Sequence, residues 1–83
     1  MVDLNPQDLA TVNRILAEHV PECEVRAFGS RVTWTAKDHS DLDLAVIAEK
    51  PLDEKAMRAL KEAFSESNLP IRVDELGRDR AGQ

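Results

Sequence analysis

Gly29-Ser30 and the alternating pair Asp41 and Asp43 stand ten residues apart, and their types and spacing suit the handling of a phosphate. Asp41, Leu42, Asp43 and Leu44 alternate polar with apolar, and successive side chains of a strand point to opposite faces. Both carboxylates therefore share one face, where their repulsion calls for a cation between them. Oxygen ligands of this kind suit Mg²⁺, which is ordinarily held by one or two carboxylates plus substrate phosphates and water. The Gly29-Ser30 turn supplies the other half of such a site. Glycine lets the backbone approach a phosphate closely, and the Ser30 hydroxyl with the amides of the following turn donates to its oxygens. Arg31 adds a cationic donor if its side chain turns into the pocket, and lies outside it otherwise.

A third carboxylate joins them if the last strand lies beside the one carrying the pair. In 71–76, Ile71 and Val73 face one way while Arg72, Asp74 and Leu76 face the other, so a suitable register brings Asp74 to the face of Asp41 and Asp43. Two Mg²⁺ ions are the expected complement, one serving the triphosphate and departing pyrophosphate, the other an attacking hydroxyl. Asp41 and Asp43 suit the shared ligand role. Asp74 suits the second ion and the proton of the nucleophile.

The elements that must position these residues follow from local signals. Asn5 is placed to cap a helix with Pro6 in its first position and Asp8 in its first turn, and Leu9, Val12, Leu16 and Val20 recur at helical spacing. The first helix is predicted over 6–19, with Pro21 beyond its end. Residues 24–28 form a short strand running into Gly29-Ser30, and 32–36 form one helical turn before a loop with Lys37, Asp38 and His39. The second strand spans 41–47. Asp53 caps a helix that carries Ala56, Leu60, Ala63 and Phe64 on one side and closes at Asn68 and Pro70. Residues 71–76 form the third strand, and 77–83 a polar tail. This order predicts a single α/β domain over 1–83, a small mixed β-sheet covered by helices on one face.

Composition excludes several classes. A net charge of −5 argues against a broad nucleic-acid surface, which depends on many basic side chains. The longest apolar run, Leu44 to Ala48, is far too short to span a membrane, and the first residues lack a signal-peptide pattern, so a cytoplasmic protein is expected. The single cysteine, Cys23, has no thiol partner and no metal-spaced histidine, which points to an incidental role. His19 and His39 lack partners at ligand spacing and read as surface groups. Trp34 reads as covering apolar core or contacting a partner, rather than stacking on a base.

Gly29-Ser30, ten residues, Asp41-Leu42-Asp43 and a later strand aspartate, Asp74, together resemble the nucleotidyltransferase superfamily related to DNA polymerase beta, and more narrowly its minimal nucleotidyltransferases. The resemblance is closest over 27–46 and extends to Asp74. It implies the polymerase beta-like fold and transfer of a nucleoside monophosphate, AMP from ATP, to a hydroxyl with two Mg²⁺ ions. Carried over by position, Gly29 and Ser30, with Arg31, contact the triphosphate while Asp41, Asp43 and Asp74 bind metal. Minimal members commonly pair with a helical toxin of the HEPN class, so the expected role is antitoxin of such a pair and the expected assembly a hetero-oligomer, with a homodimer as the alternative. The chain departs from the pattern at Trp34, where many relatives have a small residue. A binding module that masks the toxin by contact, with dispensable carboxylates, is the reading from a different class.

Overall fold

The computed structural model describes residues 3–35, 40–49 and 53–79. Its elements, in chain order, are α1 (Pro6–His19), β1 (Glu24–Phe28), α2 (Ser30–Thr33), β2 (Leu42–Ala48), α3 (Glu54–Glu66) and β3 (Val73–Asp79). The two long helices begin where their caps require. Asn5 Oδ1 accepts from the Gln7 amide at 2.8 Å and Asp53 Oδ1 from the Lys55 amide at 2.9 Å, satisfying donors that the first helical turn cannot. Helix α1 closes with the Val20 amide on the Leu16 carbonyl.

The sheet has the order β1-β2-β3, with β1 and β2 antiparallel and β2 and β3 parallel. Parallel neighbours need a crossover, and α3 supplies it. Leu42, Leu44 and Val46 alternate inward on the central strand and pack with Val12 and Ile15 of α1, Leu60 and Phe64 of α3, and Val73 of β3. Helices α1 and α3 therefore share one face of the sheet. Asp43, Ala45 and Ile47 point to the other face and are only half-buried. The expected mixed sheet with helices on one face is thus the architecture observed. No described helix is long and apolar enough to cross a membrane.

Three boundaries differ from the sequence expectation. The short helical turn begins at Ser30, directly after Gly29, rather than near Val32, because Gly29 itself redirects the chain and its carbonyl accepts from the Val32 and Thr33 amides at 3.0 and 3.2 Å. Asp41 precedes β2 instead of opening it. The last strand starts at Val73 rather than Ile71 and continues through Asp79, so Gly77, Arg78 and Asp79 are strand and not tail. The cause is the register: β2 runs to Ala48, and Val46, Ile47 and Ala48 pair with those three residues. The predicted loop positions Lys37, Asp38 and His39 and the end of the tail lie outside the described residues.

Candidate active site

The register places the chemistry. Phe28 pairs with Asp43, and Asp43 pairs with Asp74, so these three side chains form one row across the face that the helices leave open. Asp43 sits at its centre. Asp74 meets Asp43 through the parallel register that its own alternation anticipates, while Asp41 lies outside the ladder.

Gly29 is the hinge between β1 and α2, with φ +82° and ψ −158°, a backbone region essentially restricted to glycine. A Cβ built there falls 2.6 Å from Asp43 Oδ2 and 3.6 Å from its Cγ. The missing side chain is what lets the Asp43 carboxylate lie against the turn. Two features distant in sequence, the small-residue turn and Asp43 of the carboxylate pair, are thereby brought together. Ser30 opens α2 beside them and is half-buried.

Asp41 lies one residue before the ladder, where the Leu42 amide donates to the Arg72 carbonyl at 2.9 Å and ties the strand entrance to β3. Asp74 Oδ1 pairs with Arg72 Nε at 3.2 Å, the two side chains being 47% and 76% exposed. So exposed a pair is worth about 1 kcal/mol or less, and a stronger ligand for the carboxylate displaces it easily. Among the described residues, no three His, Cys, Asp or Glu side chains are gathered closely enough to hold a metal ion alone. The donor set still fits Mg²⁺, an ion that takes one or two carboxylates and completes its octahedron with phosphate oxygens and water. Asp43, lodged against the turn, is placed to share such an ion with a phosphate there.

Two expectations about side chains change. Arg31, taken as a candidate nucleotide donor, is 8% exposed and its nitrogens serve backbone carbonyls, Nε and Nη2 donating to Ser40 O at 3.2 and 2.9 Å and Nη1 to Asp3 O at 3.0 Å. A guanidinium held by three nitrogens on two backbone carbonyls is an anchor. Of the two roles expected for Trp34, covering the core is excluded, since it is 61% exposed and occupies the left-handed region at φ 60° as the C-cap of α2, while a contact with a partner stays an expectation.

The sequence reading missed Glu75. Its side chain, 3% exposed, lies on the helix-covered face with Val73, where Oε2 meets Lys61 Nζ at 3.3 Å, and among the described residues Oε1 has no hydrogen-bond partner. Burial raises its carboxyl above the usual carboxylate range, with Lys61 opposing the shift. With Lys61, Ser65, Arg72 and Asp74 it lines a groove of about 440 Å³ between α3 and β3. Strand alternation held the signal, because Val73 and Glu75 must share a face. Cys23 is half-buried and its thiol is pushed up by burial and then by Glu22, which disfavours the thiolate a nucleophile requires.

Comparison with known proteins shows the family. Residues 10–78 match the family described as "Polymerase beta, Nucleotidyltransferase". The chain is 57% identical over 75 residues to a Haemophilus influenzae protein named "Probable protein adenylyltransferase MntA", the match covering 90% of this chain and 66% of that relative. The chain thus spans a little under two thirds of the relative's length.

Proposed function

Since the chain belongs to the polymerase beta nucleotidyltransferase family, we propose that it transfers AMP from ATP to a hydroxyl of a partner protein, acting as the antitoxin toward a HEPN-type helical toxin. The observation that carries this reading is the contact between the turn and the carboxylate: a Cβ at Gly29 would strike Asp43 Oδ2 at 2.6 Å. A turn built for phosphate and a carboxylate built for a divalent ion are useful together only if one ligand carries both. A nucleoside triphosphate with its metal is that ligand. The relative's name, a protein adenylyltransferase, supports AMP as the group transferred and a protein as the acceptor.

The Gly29-Ser30 turn would seat the triphosphate, and Asp41 and Asp43 would hold Mg²⁺ beside it. Two bound Mg²⁺ ions supply charge neutralisation at the phosphates and a lowered pKa for the attacking hydroxyl. Asp74 gives up Arg72, takes its place at the acceptor side of the row and receives the hydroxyl proton. The acceptor oxygen bonds to the α-phosphorus, the bond from that phosphorus to its bridging oxygen breaks, and pyrophosphate leaves. The open sheet face, with Phe28 and Leu76 45% and 46% exposed around the row, gives the acceptor chain a surface on which to present its hydroxyl.

The test co-expresses the chain with its partner toxin and maps adenylylated residues on the partner by mass spectrometry. Transfer predicts an AMP adduct on a hydroxyl side chain in the wild type and none with Asp41→Asn/Asp43→Asn, together with loss of neutralisation although the complex persists. If the double variant neutralises as well as the wild type, the chain acts by contact and the transfer reading is lost.

A further inference from the structure

We propose that Arg31 is a positioning residue, which fixes the backbone carrying Asp41 to the same short helix that begins at the Gly29-Ser30 turn. The inference rests on the transferase reading for its consequence, and on the hydrogen bonds for its substance. Arg31 is buried, with 8% of its surface exposed. Its Nε and Nη2 close as a fork on a single acceptor, the Ser40 carbonyl, at 3.2 and 2.9 Å. Nη1 reaches the Asp3 carbonyl at 3.0 Å, and the Asp3 amide returns a bond to the Arg31 carbonyl at 2.7 Å. The guanidinium thus ties together the start of the chain, α2 and the residue that precedes Asp41.

The location of that tie decides its meaning. Asp43 is held by strand pairing on both sides, to Phe28 and to Asp74. Asp41 lies outside the ladder, so pairing does not place it. Its backbone is instead pinned one residue before, at the Ser40 carbonyl by Arg31, and one residue after, at the Leu42 amide by the Arg72 carbonyl at 2.9 Å. The first pin comes from the phosphate side of the site and the second from the strand of Asp74. Arg31 therefore sets the distance between the turn and Asp41, as the absent Cβ of Gly29 sets that between the turn and Asp43. A lysine keeps the charge but not the planar fork, and cannot serve both carbonyls in the same geometry.

The test uses Arg31→Lys in the full chain with two readouts. In metal-free protein, amide hydrogen exchange at Leu42 should speed roughly tenfold or more while that at Val46, in the same strand, holds. Outer partners of metal ligands typically contribute 10–100-fold to affinity. Mn²⁺ in the presence of a non-hydrolysable ATP analogue should therefore broaden the Asp41 amide resonance only at a concentration roughly 10–100-fold higher than in the wild type. Unchanged exchange at Leu42, or equal acceleration at Val46, would overturn the proposal, as would broadening of Asp41 at the wild-type concentration. A wild type that binds no Mn²⁺ at Asp41 and Asp43 ends the transferase reading, and the exchange comparison then decides the role of Arg31 by itself. Should Arg31→Lys not fold, the wild type still answers: the Arg31 Nε–H must show slow exchange with water, and fast exchange contradicts the fork.

Discussion

Replacing Gly29 with alanine attacks the contact on which the site is built. The perturbation has two parts that the structure separates. At φ +82° and ψ −158°, an L side chain pays a backbone strain of about 1–3 kcal/mol. The new Cβ also lands 2.6 Å from Asp43 Oδ2, while the Asp43 Cβ at 3.8 Å is in ordinary contact. The offending atom is the end of a rotatable side chain, so Asp43 yields by leaving its rotamer, at a cost of about 0.5–1.5 kcal/mol. The sum is about 3 kcal/mol, which in a domain of this size lowers the melting temperature by roughly 12–24 °C. A double-mutant cycle resolves the parts by urea denaturation. In an Asp43→Ala background the clash is gone and the strain remains, so Gly29→Ala should cost about 1 kcal/mol less than in the wild type. Equal costs in the two backgrounds would refute the proposed contact, and a neutral Gly29→Ala would refute the backbone conformation as well.

Other substitutions follow from burial and charge. Leu60 has no exposed surface, and Leu60→Ala should lose about 2–5 kcal/mol in chemical denaturation, a large share of what a small domain possesses. Trp34→Gly should stay within about 1 kcal/mol of the wild type, because relief of the left-handed strain offsets the gain in unfolded-chain freedom, whereas a core tryptophan would cost about 3–5 kcal/mol. Glu75, its carboxyl raised by burial, binds more protons folded than unfolded as pH rises from about 4.3 toward its raised value. Its contribution to stability therefore falls across that window. Melting curves of Glu75→Gln relative to the wild type should show an advantage that grows between pH 4 and pH 7, and a flat difference contradicts the shift.

Much of the fold was legible because local signals agreed with the tertiary outcome. Asn5, Pro6 and Asp53 mark helix starts that tertiary packing leaves unchanged, and the alternation of Leu42, Leu44 and Val46 already names the central strand's buried face. The approach of Asp74 to Asp43 was legible only in part, since parity of side-chain direction is local but register is set by pairing along the whole of β2. The same limit explains the misplaced end of β3, whose length follows its partner rather than its own polarity. Arg31 stayed open between pocket and anchor for a different reason. Beside a Gly-Ser turn an arginine reads as a phosphate donor, yet its partners include the backbone carbonyls of Ser40 and Asp3, and carbonyl acceptors leave no mark in side-chain identity. Glu75 shows the converse: its position was readable from Val73, but a carboxylate on a core-facing position looks like an exception until Lys61 is found opposite it.

We propose that the carboxylate row holds a metal-bound nucleotide for transfer. Its most direct test is the labelling of the co-purified partner from ATP radiolabelled at the α-phosphate, with Mg²⁺ or with EDTA, by wild type and by Asp43→Asn. The account predicts label on the partner in the wild type with Mg²⁺ only, and a loss of roughly a hundredfold or more in the variant, as expected when several kcal/mol of charge stabilisation disappear. Equal labelling by wild type and Asp43→Asn, or labelling that survives EDTA, would contradict it.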